Sequence, residues 1–305
     1  MAGAILQKMA VMVILMLVGF LCTRLGITGP EFNKRANPVV INVFLLATIL
    51  NAVIGAQERV SGVVLAEYFG VMVLMFVLSM LVAEIAVHII PMPKENRGVL
   101  WCLAAFMNNA FIGFPLAGAI YGEQAVFYAA ISNIPFNVLL YTIGMAKLRG
   151  SGEAREWRKI FTPPLVTTLL AAAIYLADLH FPAFVADTVG TMAGATIPVS
   201  MMIIGTSLGS VSVGRVFSTP KVYAAAAVKL IVVPVVVWAV LRLFVTDPMM
   251  LGLAVLMAAC PSAMIITIFC LQHGKDDLFS SQVIFMSTLL SAATIPALFA
   301  VLFAV

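Results

Sequence analysis

Two adjacent asparagines, followed by a glycine and a proline, stand in a strongly apolar stretch of the chain. They are Asn108 and Asn109, with Gly113 and Pro115 a few residues later. Proline inside a helix removes a backbone hydrogen bond and clashes with the preceding turn, and glycine adds backbone freedom. The pattern predicts a half-helix terminus at which N–H groups and Asn amides bind an anion. The alternative is a proline kink whose Asn side chains hydrogen-bond to neighbouring helices.

A second apolar stretch repeats this arrangement later in the chain. It carries Pro261 and Ser262, and both stretches end at a glycine followed by a short charged turn. An interrupted membrane helix is tolerated only inside protein or beside a water-filled cavity. Paired interruptions in corresponding spans are typical of secondary transporters and mark their substrate sites. We therefore expect one substrate-binding site formed by the six residues named so far, together with Asn51.

Four ionisable residues within hydrophobic stretches are the candidates for charge or coupling, because intramembrane charges are expensive and usually functional. For Lys229 two interpretations stay open. It is either a buried counter-charge to an organic anion, which could replace a coupling cation, or a side chain that snorkels to the cytoplasmic face. Glu84 and His88 lie four residues apart near a helix end, where snorkelling is the simpler interpretation. Glu67 is interpreted as a steering charge or as an interfacial residue.

The composition identifies lipid as the solvent of this chain. Of its 305 residues, 63% are hydrophobic and 10% are charged, whereas soluble domains carry about 25% charged residues. The net charge of +4 is dispersed along the chain, so no nucleic-acid partner is expected. The four cysteines form no C-x-x-C pair, and no catalytic or metal-binding motif is present. We expect no enzyme activity, no metal and no cofactor, with coupling to a proton or sodium ion left open.

Apolar spans account for nearly the whole chain, which holds up to about ten membrane crossings of about 20 residues each. The polar connection Arg149–Lys159 divides these spans five and five, so the second half enters the membrane inverted. We expect an all-α membrane fold with a first repeat at 1–148, a short cytoplasmic linker at 149–161 and a second repeat at 162–305. The spans are predicted at residues 6–23, 36–56, 62–90, 98–121, 124–147, 162–181, 188–211, 220–245, 249–272 and 278–304.

The distribution of basic residues predicts the orientation of the chain. Most of the 17 Lys and Arg residues fall in the odd-numbered connections. The positive-inside rule places these connections in the cytoplasm and both termini on the extracellular or periplasmic side. We expect a multi-pass protein of the cell membrane, with its N-terminal apolar run as an uncleaved first span.

The run Asn108…Gly113-Phe114-Pro115 resembles the auxin efflux carrier family, which includes plant auxin carriers and bacterial malonate or malate permeases. The resemblance implies ten helices in which broken helices 4 and 9 cross, as in bile-acid and sodium–proton transporters. It also implies elevator-type alternating access, with Asn108 at the substrate and Pro115 and Pro261 at the crossing. The resemblance covers nearly the whole chain, through Ile197-Pro198, Gly205-Thr206-Ser207-Leu208, Pro261 and Thr294-Ile295-Pro296.

The sequence also departs from the plant members of that family. They carry a Lys one turn after the acidic residue of span three, where this chain has Val71 after Glu67, and their long central loop shrinks here to about Arg149–Lys159. We therefore expect a secondary transporter of a small organic acid anion, a dicarboxylate or related carboxylate, rather than of auxin. The alternative is a sodium- or proton-coupled transporter of the bile-acid symporter or sodium–proton antiporter type. The expected partners are the anion, the lipid bilayer and a second copy of the chain in a homodimer.

Overall fold

A computed structural model describes residues 2–54, 61–149, 157–210 and 219–303 of the chain. Across these ranges the regular structure is helical, apart from one isolated β-bridge. Short 3-10 turns stand at Lys94–Asn96 and Trp157–Ile160. The helices are α1 (Ala2–Arg24), α2 (Pro30–Ile54), α3 (Gly62–Ile89), α4 (Arg97–Ala105), α5 (Asn109–Tyr121), α6 (Glu123–Arg149), α7 (Pro163–Leu176), α8 (Ala183–Ser210), α9 (Pro220–Leu241), α10 (Pro248–Ala259), α11 (Ile265–Gln272) and α12 (Asp277–Leu302).

Six helices of the described residues are long and apolar enough to cross a membrane, namely α2, α3, α6, α8, α9 and α12. Shorter apolar helices are α5, α7, α10 and the stretch Ala10–Arg24 of α1. The described residues therefore form the expected all-helical fold, with several helices long and apolar enough to span a membrane. The count of ten spans and the inverted repeat stay predictions.

Helix α2 begins several residues before the predicted start of span two at residue 36, so that boundary was wrong. Gly29 and Pro30 provide a start at which the missing proline N–H costs nothing. The polar first turns then remain helical because their side chains find partners. Arg35 donates to Glu31 at 3.1 Å, and the Asn33 amide donates to the Ser207 hydroxyl at 2.8 Å.

Two prolines inside membrane helices are each preceded by a wider π turn. In α5 the turn Asn109–Gly113 comes just before Pro115, and in α9 the turn Val228–Val232 comes just before Pro234. Proline lacks a backbone N–H and its ring clashes with the carbonyl four residues earlier. Inserting one residue into the preceding turn moves that carbonyl aside, so the helix continues past the proline.

One compact unit consists of Met1–Phe69, Ala110–Ile134 and Phe161–Val211. Within it α1 and α8 pack with their backbones in close approach. A Cβ atom added to Gly205 would overlap the Met16 carbonyl, and one added to Gly19 would overlap the backbone of Met202. Membrane helices associate through such small residues because lipid offers no hydrophobic driving force between helices. This unit also contains the stacked rings of Tyr68 and Tyr128, with centroids 4.4 Å apart.

The second compact unit consists of Gly70–Asn109, Pro135–Ile160 and Ser212–Val305. Three rings, those of Phe76, Phe106 and Phe136, form its aromatic centre, with centroids 5.7–6.2 Å apart. Each unit combines segments from both halves of the chain, so the compact units do not follow the predicted repeats 1–148 and 162–305. Those repeats stay a prediction. Most of the predicted polar linker, residues 150–156, lies outside the described residues.

Candidate binding site at the paired helix breaks

The predicted spans 98–121 and 249–272 are both interrupted. Helix α4 ends at Ala105, and the backbone is extended at Phe106 (φ −109°, ψ 136°) before α5 begins. Helix α10 ends at Ala259, and the backbone is again extended at Cys260 (φ −61°, ψ 147°) before α11 begins. The sequence pattern of polar residues, glycine and proline therefore marked two real helix breaks.

The extended segments of the two breaks pair with each other in antiparallel orientation around Met107 and Ser262. The Asn108 N–H donates to the Pro261 carbonyl at 2.8 Å, and the Ala263 N–H donates to the Phe106 carbonyl at 3.1 Å. Unpaired backbone groups cost several kcal/mol each in a bilayer. The pairing therefore removes part of the cost that each break alone would impose on the protein.

Ser262 stabilises the pairing with both its side chain and its backbone, and it is fully buried. Its hydroxyl donates to the Leu103 carbonyl of α4 at 2.7 Å, and its N–H donates to the Ser287 hydroxyl at 3.3 Å. Leu103 is one of the last residues of α4, where carbonyls lack intrahelical partners. Ser262 thus caps the end of another helix here, and direct contact between Ser262 and a substrate stays a prediction.

Asn108 and Asn109 stand where α5 begins, and each is about as buried as the apolar core, with 5% of its surface exposed. The Asn109 N–H donates to the Met107 carbonyl at 3.0 Å. Gly113 and Pro115 follow along α5 and are buried as well. Gly113 ends the π turn and Pro115 follows it, so both shape the first turns of α5.

Along the chain, the two paired segments are each flanked by two helix ends, which makes four in all. Helices α5 and α11 begin there, and the first N–H groups of a helix lack intrahelical acceptors and favour an anion. Helices α4 and α10 end there, and their last carbonyls favour a cation. The breaks therefore offer both donors for a carboxylate and acceptors for a positive charge.

Lys229 is fully buried in the π turn of α9. Its ammonium group donates to the carbonyl of Ala258, near the end of α10, at 3.2 Å. The Lys229 side chain is therefore buried in this structure, and its role as a counter-charge stays a prediction. The π turn that contains Lys229 packs against α10, which brings the amine to the Ala258 carbonyl.

The other candidates for charge or coupling lie at the surface of the protein. Lys147 donates to the Glu84 carboxylate at 2.7 Å, and both side chains are more than 40% exposed. The His88 Nδ1 atom lies 2.7 Å from the Glu84 carbonyl of the same helix, and Glu67 is exposed. The structure thus places Glu84 in a partly exposed ion pair, and its position at the membrane interface stays a prediction.

Asn51, predicted as a substrate ligand, belongs to the first compact unit. Its amide donates to the Glu123 carboxylate at 3.0 Å. Gly190 faces the Asn51 amide oxygen so closely that a Cβ there would lie 3.2 Å from it. The structure therefore gives Asn51 a partner near the start of α6, and its contact with substrate stays a prediction.

Sequence reasoning missed the buried hydroxyl groups of α12. Ser287, Thr288 and Ser291 are buried, and Ser287 accepts the hydrogen bond from Ser262. Ser280, also buried, lies within 2.9 Å of the Thr267 hydroxyl of α11. The spacing of Ser280, Ser287 and Ser291 puts them on one helical face, and this periodicity was a signal that could have been found. Within the described ranges no group of three or more His, Cys, Asp or Glu could hold a metal ion.

A family model described as membrane transport protein matches the chain over residues 4–157 and 153–299. An uncharacterized transporter of Methanothermobacter thermautotrophicus is 26% identical over 294 residues, which cover 93% of each of the two chains. An uncharacterized transporter of Methanocaldococcus jannaschii is 26% identical over 211 residues, which cover 65% of this chain and 67% of the relative. The family match and the match to the Methanothermobacter relative extend over nearly the whole sequence, and they agree with the resemblance to auxin efflux carriers. The chain is a multi-pass membrane protein that belongs to the membrane transport protein family.

Proposed function

We propose that this protein is a secondary transporter of a small organic acid anion, a dicarboxylate or related carboxylate, which binds at the paired helix breaks. The observation that carries the proposal is the antiparallel pairing of the segments around Met107 and Ser262 beside two buried asparagines. Secondary transporters place their substrate at such discontinuous helices, whose N-termini point at anionic groups. Membership of a transport family supports the same conclusion.

The substrate carboxylate would be held by the amides of Asn108 and Asn109 and by the first N–H groups of α5 and α11. Hydrogen bonds to an ionised acceptor are shorter and stronger than neutral ones. Gly113 and Pro115 would shape α5 so that its first turn faces the ligand. Pro261 would keep the second break extended, and Ser262 would orient the pairing and contact the anion.

We further propose elevator-type alternating access within a ten-span inverted repeat. The paired breaks, Lys229 and the hydroxyl groups of α12 all belong to the second compact unit, and this unit would carry the substrate. The excess of basic residues in odd-numbered connections supports cytoplasmic placement of those connections and both termini outside. A homodimer is part of the proposal, and cross-linking in native membranes tests it.

The test is flux of labelled acetate, lactate, malonate, succinate and malate into proteoliposomes that contain the full chain. We expect saturable uptake of at least one carboxylate and a loss of about tenfold or more in Asn108→Ala, since one charge-assisted hydrogen bond is worth about 1.5–3 kcal/mol. Asn133→Ala is the matched control, because Asn133 is also buried but bonds to Thr168 at 3.3 Å in the other compact unit. Equal uptake by wild type and Asn108→Ala would contradict the proposed site.

A second candidate, coupling of the anion to sodium or a proton, is favoured by one observation. The carbonyl-bearing ends of α4 and α10 lie at the breaks, and half-helix C-termini coordinate coupling cations in secondary transporters. Replacing sodium by choline, and collapsing the proton gradient with an ionophore, separates the two candidates. Uptake that stops under either treatment supports the coupled transporter.

A further inference from the structure

Lys229 is a charged residue in the described core, and the burial of its ammonium group costs free energy. It is one of the largest fully buried side chains, and none of its surface is exposed. An isolated charge in a low-dielectric interior loses its hydration, which favourable pairing must offset. In a membrane protein such a residue marks a substrate or ion pathway by default.

The surroundings of Lys229 supply carbonyl oxygen but no fixed negative charge in the described ranges. Its hydrogen bond is to the Ala258 carbonyl, and none of the ion pairs found there includes Lys229. The two acidic residues inside hydrophobic spans do not pair with Lys229 here. Glu67 is exposed, and Glu84 forms an ion pair with Lys147. A buried cation that has no fixed anion as a partner is suited to bind an anion that is later released.

The position of the ammonium group connects it to the paired breaks. The π turn Val228–Val232 packs against α4, α10 and α12, which are the helices that lead into the breaks or bond to them. Ala258 is next to the last residue of α10, and the Pro261 carbonyl of the same break bonds to Asn108. The last carbonyls of a helix attract positive charge, and in transporters with broken helices a coupling cation occupies such positions.

We propose that Lys229 is the fixed counter-charge of the transported anion and stands where a coupling cation would otherwise bind, so that the carrier needs no co-transported sodium. This inference rests on the proposed function. The ammonium group balances the carboxylate in the loaded carrier, and in the empty carrier the Ala258 carbonyl of α10 accepts its hydrogen bond. A sodium ion at this end of α10 would have to displace the lysine from that carbonyl.

The experiment uses the full chain in proteoliposomes and the panel carboxylate that wild type transports fastest. Wild-type uptake is expected to change less than about twofold when choline replaces sodium on both sides. Lys229→Met, which keeps the length of the side chain but not its charge, is expected to lose about thirtyfold or more of that uptake, as is typical when one partner of a buried charge pair is truncated. Lys147→Met is the matched control, since it removes a surface lysine from the same compact unit.

Thermal unfolding in detergent separates a counter-charge from a structural cap. A lone buried charge opposes folding, so Lys229→Met is expected to unfold at the same or a higher temperature than wild type without substrate. The stabilisation that saturating carboxylate gives to wild type is expected to disappear in the variant. A purely structural lysine would show the opposite pattern, with a lower unfolding temperature and an intact response to substrate.

The outcomes distinguish this inference from the proposed function. Wild-type uptake that requires sodium overturns the inference even if Lys229→Met and a second variant, Lys229→Gln, both fail to fold. Normal uptake by Lys229→Met overturns it as well and leaves the proposed function standing. Absence of saturable uptake of every panel carboxylate by wild type overturns the proposed function, and the inference then falls with it.

Discussion

The backbone N–H of Asn108 donates to the carbonyl of Pro261 at 2.8 Å, which joins the two interrupted helices at the residues that interrupt them. A proline has no N–H to offer, but its carbonyl is a full acceptor. Pro261, in the break that follows α10, therefore accepts the hydrogen bond of Asn108, the residue just before α5 begins. The predictions below follow from this pairing and from the helices that hold it.

Ser262→Ala is expected to destabilise the second compact unit. The change removes the hydroxyl that donates to Leu103 and leaves that buried carbonyl with one partner fewer, at a cost of about 1–3 kcal/mol. The free energy of unfolding in a detergent titration measures this loss. Ser281→Ala is the control, because the Ser281 hydroxyl donates to the Leu278 carbonyl within its own helix and joins no second segment among the described residues. Equal stability of the two variants contradicts the capping assigned to Ser262.

Gly205→Leu is expected to separate α1 from α8. Even a Cβ atom would overlap the Met16 carbonyl, so the larger side chain forces the helix backbones apart at a cost of about 1–3 kcal/mol or more. The measurement is the unfolding temperature of the purified protein. Gly70→Leu is the matched control, since a Cβ at Gly70 meets no other atom within 4 Å. If both variants unfold at the same temperature, the close approach of α1 and α8 is wrong.

Glu84→Gln is expected to leave transport almost unchanged. The side chains of Lys147 and Glu84 are 42% and 44% exposed, and ion pairs in contact with solvent contribute about 0–1 kcal/mol. Uptake in proteoliposomes and the unfolding temperature are the two measurements, with Lys147→Met as a second way to remove the same pair. A tenfold loss of uptake in Glu84→Gln, but not in Lys147→Met, would restore Glu84 as a coupling residue.

Asn51→Ala and Glu123→Ala are expected to change uptake to the same small extent, and the double variant should be no worse than either single one. The reason is that each substitution removes the same hydrogen bond, and effects of directly bonded residues are not additive. The KM and maximal rate of carboxylate uptake in all three variants provide the test. A raised KM in Asn51→Ala alone would place Asn51 on the substrate.

The positions of the helix breaks could be predicted from the sequence, but the pairing of the two breaks with each other could not. Asn108 and Pro261 lie at the breaks themselves, and their local chemistry acts wherever they stand in an apolar run, whereas α5 continues past Pro115. The bond from Ser262 to Leu103 depends instead on how two distant segments pack, and no local pattern encodes the partner. Hydropathy also predicted where the apolar helices lie, whereas the count of ten membrane spans stays a prediction.

For Lys229 too, the sequence predicted the position of the residue but not the environment of its charged group. Hydropathy placed it inside a span, yet both burial and snorkelling agree with that depth. The direction of the side chain depends on the π turn before Pro234 and on the helices that pack against it, α4, α10 and α12. The polar start of α2 was missed for a related reason, because the partners of the Asn33 amide, the Ser207 hydroxyl and the Ile203 carbonyl, belong to a helix far along the chain.

The pairing of the breaks also constrains the order in which the protein can be assembled. Leu103 and Ser262 are separated by 159 positions, so the first break leaves the ribosome long before its partner is synthesised. Until then its carbonyls face the bilayer or the insertion machinery without the bonds they have in the finished protein, a costly state in lipid. A chain that stops after α9 should therefore be retained by the insertion machinery or degraded, since the last three helices complete a membrane segment made near the beginning.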